Sequence, residues 1–436
     1  MSDFDTLGLK PVLLAALKDA GLTTPTPIQD KAIPLAMAGN DVLGLAQTGT
    51  GKTMAFGIPL VSHLMDMPER PAAKTAKSLI LAPTRELVNQ IAEALRTLTK
   101  KTHLKVNVVV GGQSINKQIH HLLKGTDILV ATPGRLIDLM DRKAVDLRTV
   151  KHLVLDEADQ MLDMGFIHAL RRIAPLLAKD RQTMMFSATM PKLMGELANT
   201  YLTDAVRVQV NPPGQAVKKI NQSVHFVAQA AKTDLLVELL DKHRDELAIV
   251  FGRTKHGCEK LYKVLEKKGF AAASIHGNKS QGQRQRALDA FKAGKTRVLV
   301  ATDVAARGLD IPDVRFVYNY DLPNVAENYV HRIGRTARAG ADGSAVALVA
   351  PDEMIELKDI EKAMKETIPV ASGREWDILP GQKKRPNGGG GGRRGGGGNR
   401  GGGQRASGKP GGGQAKSGGR RRNGGGGNRS RGQSAA

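Results

Sequence analysis

Ala46-Gln47-Thr48-Gly49-Thr50-Gly51-Lys52-Thr53 follows a short apolar run at 41–45 and precedes a helix-compatible segment at 54–65. A strand, a glycine-bearing loop and a helix in that order make a phosphate cradle. The glycines at 49 and 51 allow a backbone path whose N–H groups point inward at phosphate oxygens, Lys52 supplies a point charge, and Thr53 offers a hydroxyl to Mg²⁺. A chance glycine turn would account for Gly-Lys-Thr alone, but not for its flanks. A second signature, Asp156-Glu157-Ala158-Asp159, ends another apolar run about a hundred residues later. At a strand end one carboxylate can hold the metal while its neighbour orients water; an acidic surface turn is the bland alternative, and the spacing from the cradle argues against it.

Apolar runs at 42–46, 78–82, 106–110, 127–131, 152–156 and 183–187 alternate with helix-period segments, which reads as α/β architecture with parallel sheets. Each run stops where a motif begins, as expected if ligands bind beyond the carboxyl ends of the strands. The alternation halts near Asn211-Pro212-Pro213-Gly214-Gln215 and resumes at 223–227, 248–251, 272–275, 297–301, 315–319 and 344–349, without a second phosphate loop. The expected organisation is a nucleotide-binding α/β domain over 1–208, a linker over 209–221, a second α/β domain over 222–371 and a tail over 372–436. One cradle for two similar lobes places the nucleotide at their seam.

Composition separates the tail from the rest. Residues 381–436 hold 24 glycines, 14 Lys or Arg and no acid, with four alanines as the only apolar side chains, so this segment is expected to be disordered. Residues 1–380 still carry +9 of the total +23. A charge excess in both parts points to a polyanionic partner, nucleic acid first. No basic amphipathic helix argues for a membrane. The single cysteine, Cys258, excludes an internal disulfide and fits a reducing compartment. Met1-Ser2-Asp3-Phe4-Asp5 lacks signal-peptide character and no apolar run approaches transmembrane length, so a cytoplasmic location is expected. His120 and His121 are adjacent and share no helix face, and no structural metal is expected.

Alanine at 46 replaces the first glycine of the general phosphate-loop pattern. The form Ala-x-Thr-Gly-x-Gly-Lys-Thr followed by Asp-Glu-Ala-Asp resembles the DEAD-box RNA helicases, and the resemblance extends over roughly 1–370 with further motifs in that family's order. It implies two tandem RecA-like domains. Gly21-Leu22-Thr23-Thr24-Pro25-Thr26-Pro27-Ile28-Gln29 ends in an amide that locally suits a helix-capping loop as well as a reader of adenine's edge. The resemblance favours the reader, with Phe4 as an upstream stacking partner, and hence ATP over GTP. ATP contacts are then expected from Phe4, Gln29, Ala46, Gln47, Thr48, Gly49, Thr50, Gly51, Lys52 and Thr53, with Asp310 facing them across the cleft. Thr53 and Asp156 would hold Mg²⁺, partly through water, and Glu157 would be the general base. Asp159, Ser187, Thr189 and His331 are implied to couple hydrolysis to strand opening.

Pro83-Thr84-Arg85-Glu86-Leu87, Gly111-Gly112 and Thr132-Pro133-Gly134-Arg135 can direct N–H groups and short hydroxyls at a phosphate backbone, while Thr84 and Pro133 also suit helix starts. By the family match Pro83, Thr84, Arg85, Gly112, Thr132, Gly134, Arg135, Arg253, Thr302 and Arg307 are expected to bind RNA, with 283–286 as further candidates. His331-Arg332-Ile333-Gly334-Arg335-Thr336-Ala337-Arg338 places Arg335 and Arg338 three apart. Alone this is a solvated basic helix; under the resemblance the two are arginine fingers, catalytic together with Lys52, Asp156 and Glu157. Ala337 and Gln160 depart from the family's usual glycine and arginine.

The expectation is an ATP-dependent RNA helicase, similar to bacterial RhlE-type members with Gly/Arg-rich tails. It would close two lobes on single-stranded RNA, open short duplexes or remodel ribonucleoproteins, and hold RNA or ribonucleoprotein partners through its tail. An ATP-gated RNA clamp or annealing chaperone would use the same motifs and is the alternative.

Overall fold

The computed structural model describes residues 3–46, 49–210, 220–306, 314–337 and 342–377. Gln47, Thr48, Arg307, Asp310 and Arg338 lie outside the described residues, as do most of the expected linker and the tail from 378 onward.

The first lobe runs α1 (Pro11–Asp19), α2 (Pro27–Met37), β1 (Val42–Leu45), α3 (Lys52–Met65), β2 (Ala76–Leu81), α4 (Arg85–Thr99), β3 (Val106–Val109), α5 (Ile115–Leu122), β4 (Thr126–Ala131), α6 (Pro133–Asp141), β5 (His152–Leu155), α7 (Ala158–Asp163), α8 (Ile167–Ile173), β6 (Gln182–Ser187), α9 (Lys192–Tyr201) and β7 (Val206–Gln209). The second runs β8 (Ile220–Phe226), α10 (Lys232–Asp241), β9 (Leu247–Phe251), α11 (Lys255–Lys267), β10 (Ala272–Ile275), α12 (Gln281–Lys292), β11 (Val298–Ala301), α13 (Asp303–Ala306), β12 (Val314–Asn319), α14 (Ala326–Ile333), β13 (Gly343–Val349), α15 (Met354–Met364) and β14 (Val370–Ser372). Each lobe is built on a seven-stranded sheet, ordered β3-β4-β2-β5-β6-β1-β7 and β10-β11-β9-β12-β13-β8-β14, with parallel pairing throughout. These are the two tandem RecA-like domains expected.

Burial on both faces explains why the strands read as continuous apolar runs. In the first lobe Val42, Ile80, Val154 and Met184 enter the core on one side of the sheet, while Leu43, Leu79, Leu81 and Leu155 enter the core on the other. β1 and β6 pair with Gly44 opposite Phe186, and a Cβ on Gly44 would stand 2.5 Å from that ring, so glycine is what lets Phe186 lie over β1. Phe186 is fully buried, and truncation to alanine would cost about 3–5 kcal/mol. Helix starts are locally encoded: Thr84 Oγ1 accepts from Leu87 N–H at 3.2 Å, and Ser280 with Gln283 forms a capping box on α12.

Two strands were not anticipated. β7 alternates, with only Val208 inward, and β14 is three exposed residues at a sheet edge, so neither has a continuous apolar run. β14 crosses the expected boundary at 371. Beyond it Trp376 packs on the lobe's core and its Nε1 donates to the Val349 carbonyl at 3.3 Å, so the second lobe continues to at least that residue. Among the described residues no helix is long and apolar enough to cross a membrane.

Candidate functional site

The order β5-β6-β1 sets three loops side by side at the carboxyl edge of the first sheet: the acidic motif after β5, Ser187-Ala188-Thr189 at the end of β6, and the phosphate loop after β1. Gly51 caps α3 with φ 89°, a left-handed conformation that glycine adopts without strain. The loop is clamped from behind, since Gln29 Nε2 donates to the Gly51 carbonyl at 3.0 Å and Thr26 Oγ1 to the Thr50 carbonyl at 2.8 Å. Gln29 Oε1 accepts from Thr26 N–H at 2.9 Å, closing a capping box on α2. Each half of the Gln29 amide is thus engaged once with protein, which leaves one N–H and one lone pair for a base edge. Phe4, expected as a stacking partner, is 3% exposed and belongs to the first-lobe core, because the short helical turn Phe4–Leu7 packs it inward. Ala46 is buried at the end of β1, and Thr53 is half-buried in the first turn of α3.

Lys52 is 6% exposed and its Nζ stands 3.9 Å from Asp156 Oδ1, with no hydrogen-bond acceptor. A buried ammonium without a hydrogen-bond acceptor fits a phosphate oxygen. Glu157 occupies a left-handed conformation at φ 51° and its Oε2 is likewise buried and unpartnered. For a side chain with a Cβ that backbone costs of order 1–3 kcal/mol, and such strain clusters at functional positions. Burial pushes the Glu157 carboxyl up to about 7; Lys52 opposes this, Asp156 adds to it, and Arg335 of the second lobe opposes it. Asp156 is also raised by burial, against the pull of Lys52.

Asp159 faces the end of β6. Its Oδ2 accepts from the N–H groups of Ala188 (3.1 Å) and Thr189 (2.9 Å) and from Thr189 Oγ1 (2.9 Å), and Ser187 Oγ donates to the Thr189 carbonyl at 2.7 Å. His331 reaches the same carboxylate from α14 of the second lobe, Nε2 to Oδ2 4.0 Å. Arg335, two residues past that helix, is 4% exposed. Gln160 is buried, with Oε1 unpaired.

A cleft of about 480 Å³ lies beside this site, lined by Pro83, Thr84, Arg85, Thr132, Gly134 and Arg135 of the first lobe together with Arg284 and Val304 of the second. Gly112 approaches Arg85 so closely that a Cβ would collide with its guanidinium. Arg135 Nη1 donates to the Gln113 carbonyl at 3.0 Å. Thr302 stands half-buried at the end of β11. Arg253 is directed elsewhere: its Nη2 donates to Glu353 Oε1 at 3.0 Å and to the Leu322 carbonyl at 3.1 Å inside the second lobe. Within 283–286, Gln283 caps α12 and Arg284 crosses to the first lobe, Nη2 to Glu86 Oε1 3.0 Å. Gln281 also donates to Glu86 Oε1 at 3.1 Å. Sequence reasoning missed this bridge and the role of Arg332, which is 2% exposed and pairs with Asp303 through both its Nε (2.5 Å) and Nη2 (2.8 Å).

Residues 26–197 match the DEAD/DEAH box helicase family model and residues 231–340 the helicase conserved C-terminal domain. The ATP-dependent RNA helicase CshA of Listeria monocytogenes is 43% identical over 377 residues, spanning 86% of this chain and 72% of that protein. CshA of Bacillus subtilis is 44% identical over 362 residues, 83% of this chain and 72% of its own. Among solved structures, S. cerevisiae Dbp5 bound to RNA and ADP BeF3 superposes with a TM-score of 0.76 at 33% identity, covering 86% of this chain and 96% of Dbp5. Mss116p bound to ssRNA and AMP-PNP superposes at 0.78 and 30% identity, covering 86% and 80%. With both models matched in order and relatives this close over most of their length, the chain belongs to the DEAD-box ATP-dependent RNA helicases.

Proposed function

We propose that this chain hydrolyses ATP to drive closure of its two lobes on single-stranded RNA, opening short duplexes locally and without regard to base sequence. The observation that carries this reading is the split site: a buried ammonium without a hydrogen-bond acceptor, Lys52, and a buried carboxyl with one unbonded oxygen, Glu157, lie on one lobe, while Arg335 of the other acts on Glu157 and His331 approaches Asp159. Lys52 neutralises phosphate oxygens of ATP, and the phosphate-loop N–H groups orient them. Glu157 takes the proton of the attacking water as its oxygen bonds to the γ-phosphorus and the bond to the β–γ bridging oxygen breaks. A carboxylate raised toward neutral pH is a competent base there. Arg335 stabilises charge developing on the transferred group only when the lobes are together.

Among the described residues no cluster of three or more His, Cys, Asp or Glu is placed to hold a metal. Thr53 and Asp156 would hold Mg²⁺, which would offset the charge on the substrate phosphates. The groove residues Thr84, Arg85, Thr132, Gly134 and Arg135 contact the RNA backbone, joined by Thr302. The RhlE-type character rests on the Gly/Arg-rich composition of the tail, which tethers RNA or ribonucleoprotein partners, and a cytoplasmic location accords with the single cysteine.

The test is ATP turnover with matched RNA and DNA oligomers beside strand separation on one short RNA duplex. The reading requires RNA-selective stimulation and separation; stimulation without separation would favour the clamp. Arg335→Ala is expected to lower kcat by ~10³ while nucleotide affinity changes little, and equal loss in both would make it a ground-state contact.

A further inference from the structure

We infer that Glu353, which lies outside the nucleotide and RNA sites, is a positioning residue for the finger-bearing segment of the second lobe. Glu353 is 0% exposed. Its Oε1 accepts from Arg253 Nη2 (3.0 Å) and Leu322 N–H (3.1 Å), and its Oε2 from Ala350 N–H (3.1 Å) and from the Lys232 ammonium. These four donors come from the loops after β9, β12 and β13, which are neighbours in the sheet, and from the start of α10. One carboxylate therefore ties three adjacent strand ends together.

The loop after β12 carries the connection onward. Asp321 Oδ2 accepts from Arg253 N–H at 2.9 Å, and the Asp321 carbonyl accepts from Arg332 Nη1 at 2.5 Å. Arg332 also donates to Asn319 Oδ1 at 3.1 Å and holds Asp303, the first residue of α13, in a two-point pair. Arg332 sits on α14 immediately after His331, which reaches Asp159, and three residues before Arg335. A shift of the 321–322 loop would thus move the segment that presents the finger.

Stability alone does not explain such a hub, because a buried ion pair can commonly be replaced by apolar side chains of similar volume with little loss. What an apolar pair would not do is fix four donors at defined positions. The inference rests on the reading that Arg335 acts in turnover.

The experiment uses the full chain in three pairs: parent, Glu353→Gln, and Lys232→Met with Glu353→Leu, each with and without Arg335→Ala. RNA-saturated kcat, KM for ATP and thermal midpoint are measured below the melting range. Expected is a fall in kcat of about tenfold or more for Glu353→Gln, since misplacement by ~1 Å costs up to 10²-fold, with KM within about twofold. The apolar double variant is expected to regain thermal stability yet remain slow, and Arg335→Ala should cost less in both backgrounds than in the parent, because the residues act through one another. A fast apolar variant, or an Arg335→Ala cost identical in all backgrounds, overturns the assignment. A parent without RNA-stimulated turnover, or one indifferent to Arg335→Ala, overturns the functional reading itself and this inference with it.

Discussion

Glu86 is the acceptor of the bridge between the lobes beside the proposed RNA groove, and Glu86→Gln tests what that bridge contributes to closure. The Glu86 and Arg284 side chains are 5% and 16% exposed, so their 3.0 Å contact is little screened by solvent. Gln281 adds a second bond to the same oxygen. A hydrogen bond to a charged group contributes about 1.5–3 kcal/mol. The variant also leaves Arg284 beside Arg85, whose guanidinium is depressed by burial and, secondarily, supported by Glu86 against the charge of Arg284. A loss of about 2 kcal/mol from the closed arrangement corresponds to about 30-fold. Linkage makes the effect reciprocal: the gain in RNA affinity given by a non-hydrolysable ATP analogue should fall about 30-fold, and the gain in analogue affinity given by RNA by the same factor. Fluorescence anisotropy of a labelled oligomer, with and without analogue, measures the first, and a cycle with Arg284→Gln isolates the pair. The reasoning fails if RNA affinity drops equally with and without analogue, for then Glu86 serves the groove and not closure. It fails also if the two substitutions are additive.

Lys52→Ala should abolish nucleotide binding, whereas Glu157→Gln should keep ATP and RNA bound while hydrolysis falls and RNA residence lengthens; parent-rate hydrolysis by Glu157→Gln would refute the general-base role. Burial holds His152 down to about 4, helped by the adjacent His63, so the folded chain keeps this imidazole neutral. The stabilisation is complete above the ordinary 6.5 and is lost as pH falls from there toward 4, amounting to about 2 kcal/mol at pH 5; His152→Asn should flatten that part of the denaturation–pH curve, and an unchanged slope would count against it. If about half of the 14 charges from Gly381 onward meet phosphates, truncation at Pro380 should reduce the salt slope of RNA binding by about 5, or ~10³ in affinity between 50 and 200 mM salt, and superimposable curves would rule out the tether.

The strands were legible because sheets covered on both faces demand unbroken apolar runs, and β7 escaped because only Val208 of Val-Arg-Val-Gln faces inward. The phosphate loop and the acidic motif were legible because glycine, lysine and carboxylate at fixed spacing have few other uses. Gln29 was half legible: its capping and its binding functions use the same amide, and only the approach of Gly51 in three dimensions reveals the clamp. Within His331–Arg338 the spacing could not say which arginine turns inward. That is decided by the buried face of α14, where Tyr329, Arg332 and Ile333 lie three and four residues apart. Glu86 with Arg284 and Lys232 with Glu353 are separated by more than a hundred residues and left no local signal at all.

Among the described residues, contacts across the seam lie beside the groove and at the end of β6. Arg284 and Gln281 meet Glu86 at the groove lined by Thr84, Arg85 and Arg135, while His331 meets Asp159 at the end of β6, beside the phosphate loop. Asp159 in turn holds both N–H groups of the Ala188–Thr189 turn, so the second lobe touches the ATP side through a carboxylate already fixed by three donors. The first lobe meanwhile holds a left-handed glutamate, an ammonium without a hydrogen-bond acceptor and a carboxylate oxygen without a donor. On the proposed reading, either ligand would favour the same closed arrangement, each completing one end of a single interface. On the proposed reading, hydrolysis would remove the γ-phosphate that Lys52 and Arg335 share, and loss of that contact would release the RNA end.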